Sequence, residues 1–596
     1  MMKQYLSKLQ AAAPALWLRA LAAFALAAGV CRFLVGAPVT EAKYYADMHI
    51  IVPLALFLFG FFLMSGLVRI KGCENGDRVF LPVCLAVFTF PAACDAGGIW
   101  TVFGLGALWA VLCFYYARQG WLTLPFSLGK RGAVAAVAAA IVVFAVFSGM
   151  QGVLRYCNFH SPNFDFGIFA NMYYHMRETG VPLTTCERDM PLSHFAVHIS
   201  PVLYLLLPVY AVFPHPITLQ VMQTLILASA AVPAYLLARQ FSHSRTVASV
   251  FAFLTALHPA VGNGANYDFH ENCFLLPLLL WAFWFAECKQ YVPFAVFCAL
   301  TLAVKEDAAV YVIFLALFLL VGRRRCIAGI AAGAAAGVWF LIALGLLTKY
   351  GSGVMTGRYG NYIFNDGGLM EAVKTVLADP AYVFTQLFAD KNGQSLDKVT
   401  YAVQMLLPLG FLPLYIKKPS RIILLLPMLL VNMMTVYPYQ FQIGYQYSFG
   451  SAAFLIYLAV MNAADLPGRD TLKAMLAAAL CISALCFTAT TGAAAVGLAG
   501  ENARNREKFA VMETALSEIP EEAKVACSTS LLPHLANRDV IYEGYYHKAA
   551  PGERLDYVLV DRTHGHDEEL ETFTALGYTV TKEITLDGQV LILILE

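Results

Sequence analysis

The sequence predicts an α-helical polytopic membrane protein of roughly 13–15 spans, carrying a small α/β domain at its C-terminal end. Three observations predict this. Of the 596 residues, 59% are hydrophobic and only 13% charged, with a mean hydropathy of +0.64. A soluble chain carries about 25% charged residues. Apolar runs long enough to cross a bilayer, roughly 20 residues each, recur along most of the chain. After residue 500 the pattern switches to short strands and amphipathic helix. The formal net charge of +1 and the lack of a basic stripe interleaved with aromatics exclude a nucleic-acid partner.

The expected spans lie near 18–37, 47–68, 79–96, 98–117, 132–154, 217–239, 246–262, 272–288, 291–304, 308–322, 326–347, 401–416, 421–438, 447–463 and 474–497. The pair flanking 305–307 is the shortest. The basic start MMKQYLSKLQ leads into an apolar run and then a second span, which reads as an uncleaved anchor with its N-terminus inside. Lys and Arg in short loops set orientation. Placing Arg69, Lys71, Arg78, Arg118, Lys130, Arg131, Arg239, Arg245, Arg323–Arg325, Lys417, Lys418, Arg421, Arg469 and Lys473 inside closes the alternation, provided PVLYLLLPVYAVF at 201–213 does not span. That Pro-bounded segment suits a re-entrant or interfacial helix. Segments 155–200, 263–271, 348–400 and the tail then share the outer side. Most of the 14 cysteines sit in apolar runs as small hydrophobes. Cys157 and Cys186 fall in one loop and are candidates for a disulfide, whose geometry the sequence does not fix.

Three regions are expected: a four-span leader over 1–131, a transmembrane core over 132–499 with its large outer loop at 155–200, and an extracytoplasmic α/β domain over 500–596. In the last, ENARNREKFAVMETALSEI reads as amphipathic helix. KVACS, VIYE, DYVLVD, YTVTKEITL and QVLILIL read as strands, and LDGQ as a hairpin turn. No Gly-rich phosphate loop accompanies them. The domain reads as a docking or lid element without chemistry of its own.

Five polar constellations break the apolar background. In NFDFGIFANMYYHM, Asp165 stands at the start of an amphipathic helix. It either caps that helix or serves as general base or metal ligand at the membrane boundary. In SHFAVHISP, His194 and His198 are four apart, a spacing that suits metal ligands, phosphate contacts, or interfacial histidines bonded to backbone. NYDFHEN groups Asp268, His270 and Glu271 with Tyr267, as an acid-base or divalent-cation cluster or as a solvated loop. Lys305, Glu306 and Asp307 interrupt an apolar stretch. Exposed to lipid, the three would cost roughly 8–10 kcal/mol. They form either a tight turn or the wall of a polar cavity where Lys305 meets a phosphate. YPYQFQIGYQYSFG places Tyr445, Gln446 and Tyr447 beside Tyr437 and Tyr439, as an interfacial aromatic belt or as a sugar-binding face.

FDFGIF, HFAVHISP, YDFHE and VKED, in this order, together with CSTSLLPHLANRDVIY, resemble the bacterial membrane family DUF2079 over about 150–596. That family resembles the GT-C glycosyltransferases, multi-span enzymes with an acidic residue in the first large outer loop that use lipid-phosphate-linked sugars. The resemblance implies a GT-C-like core in a bacterial plasma membrane and a polyprenyl-phosphate sugar donor. The acceptor would be an extracytoplasmic glycan, lipid or protein. It puts Asp165 at the position of the general base of an inverting transfer. Lys305 with His198 or His270 would stabilise the leaving phosphate. Asp268, Glu271, Glu306 and Asp307 complete the catalytic set. His194, Tyr267, Tyr445, Gln446 and Tyr447 are expected to bind substrate. If Mg²⁺ or Mn²⁺ takes part, Asp165, Asp268 and Glu271 are its candidate ligands. A transporter or flippase of a lipid-linked or small polar substrate is the alternative, since intramembrane charges also mark ion paths. Matched pseudo-symmetric halves, which would favour transport, are not evident. A non-catalytic scaffold would leave Lys305–Asp307 unexplained.

Overall fold

A computed structural model describes residues 2–35, 48–73, 75–95, 99–122, 128–351, 353, 356–364, 368–388, 393–547 and 554–596. The ends of the expected spans at 36–37, 47, 96 and 98 lie outside these, as do 352, 354–355, 365–367 and 389–392 of the expected outer segment 348–400. Among the described residues, nine helices are long and apolar enough to cross a membrane, and shorter apolar helices cover Ile51–Leu67, Tyr291–Leu302, Ala308–Val321 and Pro419–Met433. Two expected spans are broken. The first gives way at Pro408, Gly410 (φ 61°) and Phe411 (φ 53°), beyond the helix Ser395–Leu406. The second divides into a 3-10 stretch, Pro419–Leu424, and a wide turn, Met428–Met433. Proline removes a helical N–H, and positive φ ends the helical path. The segment 201–213 forms two short helical pieces, Pro201–Leu205 and Leu207–Val212, as its length predicts.

The chain forms two compact units. The first comprises Met1–Pro125, Leu407–Gly410 and Leu466–Ala493. Its helices bury few polar groups, several of them paired, while the Tyr116 phenol and Thr491 Oγ1 have no partner among the described residues. Arg19 bonds Asp77 at 2.6 Å, Arg32 bonds Asp95, and the Trp109 indole donates to Thr89 Oγ1 at 2.9 Å. Leu81, Leu85, Leu105, Leu112 and Leu485 form part of an apolar cluster among its helices.

The second unit comprises Phe126–Leu406, Phe411–Asp465 and Ala494–Glu596. At its centre lies Phe449–Ala464, whose residues are all buried except Ala464. Small residues permit this. A Cβ on Gly450 would lie 2.3 Å from the Tyr311 ring, so only glycine fits there. By contrast Lys130–Cys157 and Cys326–Tyr350 have only 22% of their apolar windows buried and present apolar faces outward. At the end of Leu275–Glu287, the Glu287 carboxylate takes Arg323 at 2.8 Å, Arg325 at 3.4 Å and the Tyr457 phenol at 2.6 Å, so these buried charges are compensated.

The loop after Lys130–Cys157 carries a two-residue ribbon, β1 (Leu183–Thr184) antiparallel to β2 (Leu192–Ser193). The C-terminal region holds a five-stranded mixed sheet built from β3 (Val525–Cys527), β4 (Ile541–Glu543), β5 (Tyr557–Asp561), β6 (Val580–Leu586) and β7 (Gln589–Leu595). The order is β4-β3-β5-β7-β6, with β4-β3-β5 parallel and the last two pairings antiparallel. The hairpin turn between β6 and β7 has Asp587 at φ 50° and Gly588 at φ 80°, the geometry that Asp-Gly favours. Helix Asp567–Ala575 was not anticipated, because its acidic first turn masks a short apolar face. Cys157 and Cys186 are both free thiols, so the candidate disulfide does not form.

Candidate functional site

A cavity of about 990 Å³ opens in the second unit, and its wall gathers residues from all five polar constellations together with one edge of the C-terminal sheet. Asp165 is not a helix cap. The helix begins at Ile168, and Asn163–Gly167 forms a wide turn in which Asp165 adopts φ 61°, ψ −57°. A non-glycine residue there costs about 1–3 kcal/mol, and such strain is kept where the fold over-determines it. Here the turn is held from both sides. Asn163 Nδ2 donates to Glu543 Oε2 at 2.7 Å, its backbone N–H donates to Thr529 Oγ1 at 3.0 Å, and Gly167 packs where a Cβ would meet Leu532 at 2.6 Å. The strained turn aims the carboxylate into the cavity. There Gln446 Nε2 donates to Asp165 Oδ2 at 3.4 Å, and the Tyr267 phenol bonds the same carboxylate. Burial pushes the Asp165 carboxyl above its ordinary range, against the pull of the Tyr267 bond and the Lys305 charge.

The histidines divide by partner. His194 and His198 lie on one turn, with rings 5.9 Å apart, yet each faces its own carboxylate. His194 Nδ1 is 2.9 Å from Glu187 Oε2. Burial works against its charged form, but the Glu187 bond and charge, with Glu271, more than offset this, so its pKa is raised. His198 Nδ1 is 2.9 Å from Glu306 Oε1, whose Oε2 accepts the Ile199 N–H at 3.1 Å. Burial, then the Lys305 charge, holds His198 well below its usual value. A neutral His198 donates from Nδ1 to Glu306 and keeps an open lone pair on Nε2. His270 Nδ1 accepts the Asn272 N–H at 3.2 Å, so the neutral ring carries its proton on Nε2. Burial first, and then Lys305, keep it neutral.

Lys305 lines the cavity at 3% exposure and pairs with Glu271 Oε1 at 3.5 Å. Neither Glu271 oxygen has a hydrogen-bond partner among the described residues, and the carboxyl is raised chiefly by burial. Burial alone would lower Lys305, but Glu271, Asp307 and Glu306 hold its ammonium charged. The opposite wall is aromatic. Tyr437–Tyr439, Tyr439–Tyr445 and Tyr445–Tyr267 meet at 5.0, 4.7 and 5.0 Å. Arg358 lies over Tyr437 at 4.6 Å and Tyr447 at 5.3 Å. The YPYQFQIGYQYSFG segment thus lines a cavity instead of forming only an interfacial belt.

Of the residues expected from sequence, Asp165, His194, His198, Tyr267, His270, Lys305, Tyr445, Gln446 and Tyr447 line this one cavity. Glu271, Glu306 and Asp307 stand behind it as partners of the lining cations. Asp268 does not belong to the wall. It is buried against Arg155 at 3.1 Å, Ser161 at 2.8 Å and Gln220 at 2.6 Å, and ties the loop to two helices. The candidate cation set Asp165, Asp268 and Glu271 is therefore not assembled, and among the described residues no group of three His, Cys, Asp or Glu side chains is placed to hold a metal ion. Arg188, Arg358, Glu187, Glu543 and Tyr546 also line the cavity and were not singled out. Lone charges in ordinary loops carry no local signal, and Glu543 reads simply as the end of a strand. Among the described residues, Asn163 Oδ1, His194 Nε2 and Gln446 Oε1 are buried polar atoms of the lining without a hydrogen-bond partner. Such groups ask for a polar ligand.

Residues 155–591 match the family described as predicted membrane protein DUF2079. The chain belongs to the DUF2079 family. Every residue lining the cavity falls within the matched range, while residues 1–154 lie outside it. The comparison with curated proteins finds no match. The DUF2079 chain is similar to two crystal structures of ArnT from Cupriavidus metallidurans, one bound to undecaprenyl phosphate and one in the apo state. Identity is 12% in both, TM-scores are 0.47 and 0.42, and the alignments cover 78% and 80% of this chain and 98% of each ArnT chain.

Proposed function

We propose that this DUF2079 protein is an inverting membrane glycosyltransferase that moves a sugar from a polyprenyl-phosphate donor to an acceptor hydroxyl outside the cytoplasm. The observation that carries this reading is one cavity holding a raised carboxylate, a buried ammonium and an aromatic wall. Asp165 takes the acceptor hydroxyl proton as that oxygen attacks the anomeric carbon. The bond from that carbon to the phosphate oxygen breaks, and the lipid phosphate departs with the electron pair. A carboxylate whose pKa is raised by burial is the stronger base, and such catalysis contributes about 10²–10⁴-fold. Lys305, Arg358 and the Nε2–H of His270 are the donors for the phosphate charge. The tyrosine wall with Gln446 supplies faces and an amide for a sugar ring. The strained turn supports the base assignment, because a mere helix cap needs no positive φ.

The test uses purified protein in lipid with a panel of radiolabelled polyprenyl-phosphate sugars, following donor consumption. One donor is expected to be consumed, and Asp165→Asn to abolish it in a folded protein. Normal turnover by that variant would remove Asp165 from the role of base. A folded wild type that consumes no donor with envelope extract present as acceptor source would overturn the transferase reading, and a flux assay would then test transport.

A further inference from the structure

A second cavity, of about 930 Å³, lies along Tyr291–Leu302 and Cys326–Tyr350, lined by neither Asp165 nor the tyrosine wall. Its floor is apolar. Phe294, Cys298 and Leu302 face Ala328, Ala331 and Ala335, whose small side chains leave the groove open. Helix Cys326–Tyr350 has only 22% of its apolar window buried, so the groove faces the surroundings of a membrane span. The mouth is basic, carrying Lys289, Arg323, Arg324 and Arg325. Arg323 and Arg325 are engaged by Glu287, and Arg323 also stacks on Phe241 and Phe318 at 5.3 and 5.5 Å. Lys289 and Arg324 are exposed, and among the described residues no carboxylate pairs with either.

The backbone adds an independent observation. Lys289 (φ 58°) and Arg324 (φ 52°) both sit in the left-handed region at the turns that open the groove. Glycine is the usual residue at such helix ends, and other L-residues cost about 1 kcal/mol or more there. Two long cations occupy strained positions on either side of one apolar slot. Hydrocarbon fits the slot, and a single negative charge fits the two uncompensated cations.

We propose that this groove binds an anionic phospholipid, with an acyl chain along Phe294, Leu302 and Ala331 and the phosphate diester between Lys289 and Arg324. The occupant is a membrane lipid and not a soluble anion, because most of the lining is apolar. The site is separate from the cavity that holds Asp165 and stands whether or not the chain transfers sugars.

The experiment strips the full-length protein of lipid in neutral detergent. It then counts bound lipid by native mass spectrometry, with phosphatidylglycerol and phosphatidylcholine of matched chains. Phosphatidylglycerol is expected to bind preferentially. The double variant Lys289→Gln/Arg324→Gln is expected to weaken it about thirtyfold, from roughly fivefold per cation beside an anionic headgroup. Ala331→Phe, which keeps both charges and fills the slot, is expected to displace the lipid as well. Equal binding of the two lipids, undiminished binding by the double variant, or displacement by an equal concentration of inorganic phosphate would each overturn the proposal. Thermal midpoints within a degree of wild type establish that the variants are folded.

Discussion

Replacing Lys305 by methionine separates a structural charge from a working one. Lys305 and Glu271 are both buried, 3.5 Å apart, and among the described residues neither Glu271 oxygen has a hydrogen bond, although His270 Nδ1 lies 3.1 Å from Oε2. Removing one partner of a buried pair costs about 3–5 kcal/mol, because the survivor keeps its desolvation penalty. The unit that holds the pair has about 440 residues. At roughly 2.1 cal/mol/K of unfolding entropy per residue, Lys305→Met lowers the thermal midpoint by about 3–5 °C. The loss depends on pH with a definite sign. Burial already raises the Glu271 carboxyl, and losing Lys305 removes the largest opposing influence. A carboxyl with a raised folded pKa takes up a proton on folding. Its contribution is present below the unfolded value of 4.5 and is lost as pH rises through the folded one. The midpoint deficit of Lys305→Met is therefore larger at pH 8 than at pH 5.5. Adding Glu271→Gln removes the stranded charge and is expected to restore stability to within about 1 kcal/mol of wild type. Donor consumption stays lost in the double variant if Lys305 meets the phosphate. Scanning calorimetry at two pH values, with the donor assay, reads all of these. A Lys305→Met protein with an unchanged midpoint at pH 8 would refute the buried-pair reasoning. A stable double variant with normal turnover would reduce Lys305 to a counter-ion.

Other perturbations follow from the same geometry. Asp165→Gly relieves the positive φ and is expected to raise stability by about 1 kcal/mol while abolishing turnover, read by thermal midpoint and donor consumption. His194 has a raised pKa, so its pairing with Glu187 stabilises fully below about 6.5 and is lost as pH rises through the folded value. His194→Gln should therefore cost about 1–3 kcal/mol at pH 6 and less at pH 9, measured as the midpoint difference from wild type. Gly450→Ala drives a methyl into the Tyr311 ring and should destabilise by about 1–3 kcal/mol, checked by the same scan.

Much of the cavity is legible in the sequence because charge inside apolar runs is costly, so each exception needs a reason. Lys305–Asp307 was such an exception, and Lys305 lies on the wall. Asp268 was legible as unusual but not as to purpose. A buried carboxylate that holds Arg155 and one that meets a substrate look alike in one dimension, and only the long-range partners Ser161 and Gln220 distinguish them. Arg358 was invisible for the opposite reason. It is one basic residue in a polar loop, and its position over Tyr437 and Tyr447 depends on chain separated from it by about 80 residues. The tyrosine-glutamine segment was read two ways because interface and sugar sites use the same amphipathic side chains.

The C-terminal sheet was legible strand by strand, but its relation to the cavity was not. The parallel strands β4, β3 and β5 end at Glu543, Cys527 and Asp561, and open α/β sheets place their polar chemistry beyond such carboxyl ends. Here Glu543 reaches Asn163, Thr529 just past β3 receives the Asn163 N–H, and Tyr546 meets Phe164 edge-on at 5.7 Å. The strand ends therefore grip the two residues that precede Asp165. A domain without a phosphate loop of its own still contributes to the site, because the strain at Asp165 persists only while its neighbours are held. Loosening the grip with Asn163→Ala should let the turn relax and lower donor consumption more than it lowers the thermal midpoint. Equal fractional losses would mean that the sheet supports the fold and not the carboxylate.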